Sequence, residues 1–266
     1  YRITHAYVVP TMMVRLLKLP EGVRSKYDVS SLQYTVGTGS PCPVDVKEQM
    51  IEWMGPIFNE SYGASELGFM TLISSKEAQE KPGSVGRILP GGMIKIFDDD
   101  KNELKTGEIG TIYVHLPMFG TFDYTNSDGA LANNQIEEFT TVGDMGYLDD
   151  DNYLYICDRK KDMILSGGQN IYPADIEAEL IKHPAVREAA VVGIPSKKWG
   201  ETPLAIIVKH DVADCPPDAL KDTVNSQLGR QQRIAYLEYI DELPRNPNGK
   251  ILKRELRDTY RDKYYE

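Results

Sequence analysis

Between Tyr1 and Glu66, strand-like apolar runs alternate with segments of helical period, and the connections are short. Ala6-Tyr7-Val8-Val9 ends at Pro10, and Met12 to Leu19 puts Met13, Leu16 and Leu17 on one helical face. Leu32-Gln33-Tyr34-Thr35-Val36 reads as a strand broken by Gly37-Thr38-Gly39-Ser40-Pro41. A helix follows Pro43, with Val46, Met50 and Met54 spaced by four, and Pro56-Ile57-Phe58-Asn59 restarts a strand. A β-α-β-α-β order points to a mostly parallel sheet, because parallel neighbours need a crossover and a helix supplies it. Such sheets bind ligands in the loops beyond their strand C-termini. Two loops qualify, Gly37–Pro41 and Tyr62–Gly68.

The pattern changes near Pro82. Ile94-Lys95-Ile96-Phe97 and Thr111-Ile112-Tyr113-Val114 are strand-like, and Asp149-Asp150-Asp151-Asn152 between Tyr147-Leu148 and Tyr153-Leu154-Tyr155-Ile156 reads as a hairpin turn. An antiparallel sheet or small barrel is expected here. It changes again near Met163. Met163-Ile164-Leu165 is a strand and Gly167-Gly168-Gln169-Asn170 a loop. A helix starts at Pro173 with Ile176 and Leu180 on one face. Strands at 189–192, 205–208 and 234–240 and helices at 217–228 and 250–260 follow. The expected fold class is therefore mixed. A partial doubly wound α/β sheet comes first, then a β-rich subdomain, then a small α+β C-terminal domain. The expected domains are 1–158, divided at 81/82, and 159–266, joined at Asp158-Arg159-Lys160-Lys161-Asp162.

The chain of 266 residues carries a formal charge of −10, which argues against nucleic acid or an anionic membrane as the main partner. No apolar run is long enough to span a bilayer. Cys42, Cys157 and Cys215 lie far apart, which favours a reducing, cytoplasmic setting over a disulfide framework. Asp98-Asp99-Asp100-Lys101-Asn102 begins like a calcium loop but lacks the glycine and the distal glutamate, so a solvated turn is the better reading. His5, His115, His183 and His210 have no zinc-ligand spacing. Neither the Walker nor the Rossmann glycine pattern occurs. Taken singly, the Gly37–Pro41 loop, the carboxylates of Glu66 and Asp144, and Lys250 ahead of a basic helix each read as ordinary turn or surface residues.

Together they form an ordered series. Tyr62-Gly63-Ala64-Ser65-Glu66 is followed by Gly143-Asp144, Asp158-Arg159-Lys160-Lys161-Asp162, Gly167-Gly168 and Pro244-Arg245-Asn246-Pro247-Asn248-Gly249-Lys250. This series resembles the adenylate-forming (AMP-binding) superfamily, and the acyl-CoA synthetase branch fits best. The resemblance implies two reactions on one carboxylic acid. ATP first converts the acid to acyl-AMP, and the thiol of coenzyme A then takes the acyl group. Glu66 would bind Mg²⁺ on the phosphates. Lys250 would reach the carboxylate and the α-phosphate. Asp144 would hold the ribose hydroxyls, with Arg159 supporting the same region. Gly39, Ser40 and Pro41 would line the adenine with Tyr62 stacked on it, and Gly63 and Ser65 belong to the same nucleotide motif. Thr38, Ser61, Gly63 and Phe69 would line the acyl pocket. Lys161 would be the hinge about which the last domain turns between reactions. Gly167, Gly168 and Trp199 would then meet coenzyme A.

The implied substrate is a hydrophobic acid: fatty, aryl or bulky alicyclic. Two other readings stay open: an adenylation enzyme that loads a carrier protein, and a non-catalytic remnant. Lys250 also resembles a site of inactivating lysine acetylation, which makes an acetyltransferase an expected partner; an oligomer is compatible with the sequence. Many relatives have Tyr-Lys-x-Pro where this chain has Arg230-Gln231-Gln232-Arg233-Ile234, and these arginines could meet an acidic surface or a coenzyme A phosphate. The family's phosphate loop, roughly Thr-Ser-Gly-Thr-Thr-Gly, is not found, and the chain opens on Tyr1. The expectation is a processed chain or a piece of a longer enzyme, with little or no adenylation activity by itself.

Overall fold

The computed structural model describes residues 2–40, 42–118, 134–210, 215–246 and 250–264. Pro41 and the run Pro247-Asn248-Gly249 lie outside the described residues. The chain divides into two compact units, Tyr1–Ile156 and Cys157–Glu266.

The first unit opens with β1 (His5–Val8), α1 (Pro10–Leu17), α2 (Glu21–Arg24), β2 (Tyr34–Gly37), α3 (Val44–Met54) and β3 (Phe58–Glu60). The three strands lie in the order β1-β2-β3, all parallel, with Val8, Gly37 and Glu60 in register at their C-terminal ends. The helical spacing read from the sequence is the buried one: Met13 of α1 and Val46 and Met50 of α3 close over Phe58. Burying each such side chain contributes about 1.5–3 kcal/mol. Gly37 has no room for a side chain, since a Cβ would fall 2.7 Å from the Phe58 ring.

Short strands β4 (Gly63–Ala64), β5 (Gly68–Phe69) and β6 (Thr71–Leu72) lead to α4 (Ser75–Glu80) and β7 (Arg87–Ile88). α4 has a full capping box: the Ser74 hydroxyl accepts the Glu77 N–H, and Glu77 Oε2 accepts the Ser74 N–H at 3.0 Å. Glu77 Oε1 also accepts bonds from Arg87 and Tyr153. The Ser74 bonds, aided by Arg87 and Tyr153, lower the Glu77 pKa to about 2. A carboxylate depressed in the fold contributes stability that is complete above its unfolded value and lost as pH falls toward 2. Wild type is therefore expected to lose stability between about pH 4.5 and 2 more steeply than Glu77→Gln. Urea melts at pH 5 and pH 3 check this, and identical pH slopes would refute it.

The middle region is the antiparallel sheet expected from the sequence. Its strands are β8 (Met93–Phe97), β9 (Gly110–His115), β10 (Gln135–Ile136), β11 (Phe139–Thr140), β12 (Asp144–Leu148) and β13 (Leu154–Arg159). Their order is β10-β11-β9-β12-β13, with β8 on β9. Both acidic runs are turns. Asp98 Oδ1 accepts the Asn102 N–H, Asp149 Oδ1 accepts those of Asp151 and Tyr153, and Lys101 and Asn152 take positive φ.

The second unit contains β14 (Ile164–Ser166), β15 (Gln169–Ile171), α5 (Pro173–Lys182), β16 (Val186–Ser196), β17 (Gly200–Lys209), α6 (Pro217–Asn225), β18 (Tyr236–Tyr239) and α7 (Lys253–Tyr260). The strands are ordered β15-β14-β17-β16, and β18 joins β17 in parallel. Alternate residues of β16 feed two cores. Ala189 and Val191 pack with Ile176 and Leu180 of α5, whereas Ala190, Val192 and Ile194 pack with Leu256 of α7. The sheet is thus covered on both faces. The expected loop 167–170 is instead a two-residue hairpin turn. Gly167 and Gly168 both take positive φ, which suits the twist of the strands, and Gln169 and Asn170 are already in β15. Among the described residues no helix is long and apolar enough to cross a membrane.

Candidate active site

In the first unit, most of the sequence-selected residues gather at the C-terminal ends of the parallel strands. Thr38 and Ser61 follow β2 and β3 directly; the Thr38 N–H donates to Val8 O and the Ser61 N–H to Gly37 O. Both are buried, and Ser61 is turned inward by a 2.7 Å bond from its hydroxyl to Thr71 O. Gly39, at φ 92°, and Ser40 are exposed just beyond.

Tyr62 is the pivot. Its carbonyl accepts the N–H groups of Met70 and Thr71, and its hydroxyl donates to Asp144 Oδ2 at 2.6 Å. This bond joins two motifs that stand 82 residues apart in the chain. Asp144 begins β12 and is 6% exposed, so its carboxylate is aimed by the fold and not left to solvent. Gly143, at φ 82°, supplies the turn that precedes it.

Gly63-Ala64 and Gly68-Phe69 pair as a miniature antiparallel hairpin, with Ser65 and Glu66 at its tip. A Cβ on Gly63 would sit 2.3 Å from Gly68 O, so the hairpin closes only with glycine there. Phe69 is 44% exposed beside the Tyr7 ring. Glu66 is half-buried. No group of three or more His, Cys, Asp or Glu side chains gathers as a metal site among the described residues. One carboxylate nevertheless suits Mg²⁺ that arrives on a nucleotide, because Mg²⁺ keeps its waters and takes one or two carboxylates plus phosphate oxygens.

One ion pair beneath this site has no motif to announce it. Lys47, on the first turn of α3, meets Glu60 at the end of β3, and the two side chains are 5% and 4% exposed. Glu60 Oε1 also accepts the Cys42 N–H at 3.3 Å, which ties the end of the 37–42 loop to β3. Burial pushes the Glu60 carboxyl above its usual range, and Lys47 draws it back. Burial raises the Cys42 thiol to about 12 and the Cys157 thiol to about 11, far from a reactive thiolate.

In the second unit, Arg159 ends β13, and its carbonyl accepts the Asp162 and Met163 N–H groups in a tight turn. Lys161 is exposed in that turn. Gly167 and Trp199 meet: the Gly167 N–H donates to Trp199 O at 2.7 Å, and a Cβ on Gly167 would lie 3.0 Å from the indole. Trp199 is 49% exposed, and Lys198 Nζ lies 4.7 Å from its ring centroid. Lys250 is exposed. Its N–H donates to Asn246 Oδ1 at 2.9 Å and its carbonyl accepts the Asn246 N–H at 3.0 Å.

Two family profiles match the chain: "AMP-binding enzyme" over residues 1–121 and "AMP-binding enzyme C-terminal domain" over residues 175–250. A fatty acid–[acyl-carrier-protein] ligase, ScoC, of Streptomyces coeruleorubidus is 37% identical over 97% of this chain and 50% of its own length. A long-chain-fatty-acid–CoA ligase of Escherichia coli O157:H7 is 35% identical over 89% of this chain and 42% of its own length. The o-succinylbenzoate coenzyme A synthetase MenE from Bacillus subtilis, solved with ATP and magnesium ion, superposes with a TM-score of 0.83. It is 33% identical and covers 96% of this chain and 51% of that one. The chain spans about half the length of the curated relatives it matches. With both matched segments in order on one chain, and with relatives 35–37% identical over most of it, the chain belongs to the adenylate-forming, AMP-binding enzymes.

Proposed function

We propose that this chain serves an AMP-forming acid–CoA ligase that activates a hydrophobic carboxylic acid with ATP and passes the acyl group to coenzyme A. The observation that carries the reading is the Tyr62–Asp144 hydrogen bond, which joins two nucleotide motifs of the series. In this reading Asp144 accepts from the ribose hydroxyls, since a buried carboxylate at a strand end suits that task. Thr38, Gly39, Ser40 and Tyr62 form the wall for the adenine and the adjoining acyl group, with Ser61, Gly63 and Phe69 on the acyl side. Glu66 would hold Mg²⁺, which neutralises phosphate charge when it is bound. Lys250 offsets the repulsion between carboxylate and α-phosphate as they approach, and Arg159 adds positive charge nearby. Phosphoryl-type transfer is mainly positioning and charge stabilisation, so these roles suffice. Lys161 is the hinge, and Gly167, Gly168 and Trp199 face the incoming thiol substrate.

The activity is exercised in a protein that also carries the phosphate loop, in the cytoplasm. An acetyltransferase acting on Lys250 would switch it off by removing the charge; mass spectrometry after enzymatic acetylation tests this, and an unmodified Lys250 would refute it. A second reading is favoured by ScoC, whose acceptor is an acyl-carrier protein. Retention of Glu66, Asp144 and Lys250 speaks against a non-catalytic remnant. The whole protein is expected to give acid-dependent ATP–pyrophosphate exchange and, on addition of coenzyme A, AMP release. AMP release with a carrier protein and none with coenzyme A would move the proposal to the second reading; no exchange with any fatty or aryl acid would end both.

A further inference from the structure

α7 begins three residues after Lys250, and its first residue, Lys253, reads in the sequence as part of a solvated basic face. It is not solvated. Its side chain is 15% exposed, and its Nζ lies 2.7 Å from Glu177 Oε1. Glu177 belongs to α5, which packs on the face of the sheet opposite α7. The same oxygen accepts the Val191 N–H at 2.7 Å. Val191 lies in β16, the last of the described strands of its sheet, so Glu177 takes up an N–H that no described strand accepts. The pair therefore reaches round the outer side of β16 and joins the two helical layers. Burial works against the Lys253 ammonium, but the Glu177 and Asp158 carboxylates outweigh it and raise its pKa.

α7 has a second tie. Arg257 donates to the Lys161 carbonyl at 3.3 Å and to Asp162 Oδ1 at 3.2 Å. Upstream, Arg245 bridges Ile251, and the Leu252 N–H donates to Pro244 O at 2.8 Å. Lys250 thus lies in the loop that this bridge closes, three residues before a helix whose first residue is clamped. An apolar contact could hold α7 against the sheet, but it would leave the helix free to rotate or slide. A charge pair that shares a fixed backbone N–H removes that freedom.

We propose that the Glu177–Lys253 pair is a positioning device for Lys250: it fixes the start of α7 so that the Lys250 backbone is presented in one place for acyl-AMP formation. This rests on the adenylation role proposed for Lys250. Lys253 and Glu177 act through Lys250 and touch no substrate.

The test uses the whole protein and compares wild type with Lys253→Met, Glu177→Gln and the conservative Lys253→Arg. Hydrogen–deuterium exchange should quicken across 245–252 in Lys253→Met and Glu177→Gln while β17 stays protected. ATP–pyrophosphate exchange should fall by about 10²-fold, the cost of misplacing a reacting group by about 1 Å. Thioester formation from a synthetic acyl-adenylate should stay within about threefold, because that step does not draw on Lys250. Lys253→Arg should recover most of the loss. Unchanged amide exchange over 245–252 overturns the proposal whatever the activity, and so does an equal fall in both half-reactions. A wild-type protein that never exchanges pyrophosphate would count instead against the proposed function, and the amide exchange would still decide the positioning.

Discussion

Lys250→Met is expected to cut acid-dependent ATP–pyrophosphate exchange by about 10²–10³, the usual cost of one preorganised charge at a developing anion. The loss should sit in kcat and leave the KM for ATP nearly unchanged, because the ammonium is used as the two anions close and little before. Thioester formation from a preformed acyl-adenylate should survive. The exposed Lys250 is held through its backbone by Asn246, so its truncation should not disturb the fold around it. An unfolding midpoint equal to wild type establishes that. Equal loss of both half-reactions would remove Lys250 from the role proposed for it.

The largest expected effect on stability lies at Lys47. Lys47→Met strips Glu60 of its counter-charge in a place where both side chains are almost wholly enclosed. Breaking one side of such a pair costs about 3–5 kcal/mol, because a carboxylate remains in a low-dielectric site with one backbone N–H for company. The double variant Lys47→Met, Glu60→Gln should regain most of this, since a neutral amide still accepts the Cys42 N–H and leaves no charge behind. The deficit of the single variant should also shrink in acid. A carboxyl whose folded pKa is raised supports the fold while protonated, and that support fades as pH rises through the folded value. Urea melts of the three proteins at pH 5 and pH 8 check both points. A single variant within about 1 kcal/mol of wild type would mean that water reaches Glu60.

The contrast between these two lysines shows what could be read in the sequence. Lys250 sits in a motif of fixed order, which marks it in the sequence. Lys47 falls between Val46 and Met50 of a helix whose apolar period is plain, and nothing linear says that its partner is Glu60, on the next strand. Periodicity marks the helices of the parallel layer, and the apolar runs at 189–192 and 205–208 mark β16 and β17, because a strand covered on both faces reads as a continuous apolar run. α4 left no such trace. It has six residues, and its signal was the Ser74-x-x-Glu77 capping box, which was there to be read. The 167–170 segment reads as a loop because two glycines punctuate it; the positive φ of both makes Gly167-Gly168 a hairpin turn and leaves Gln169 and Asn170 in β15. Lys253 is hidden for the opposite reason. A run of basic residues usually marks a wet surface, and only the tertiary fold brings Glu177 round β16 to meet it.

The bond from Val191 to Glu177 has one more consequence. β16 runs eleven residues and ends its sheet, and a long outer strand with free N–H groups invites another chain to add to it. Here the middle of that strand is already stoppered by a carboxylate, and the ammonium of Lys253 sits over it. A second strand could dock there only by displacing both charged groups from the Val191 N–H. The clamp on the last helix is therefore also a guard against strand-to-strand aggregation.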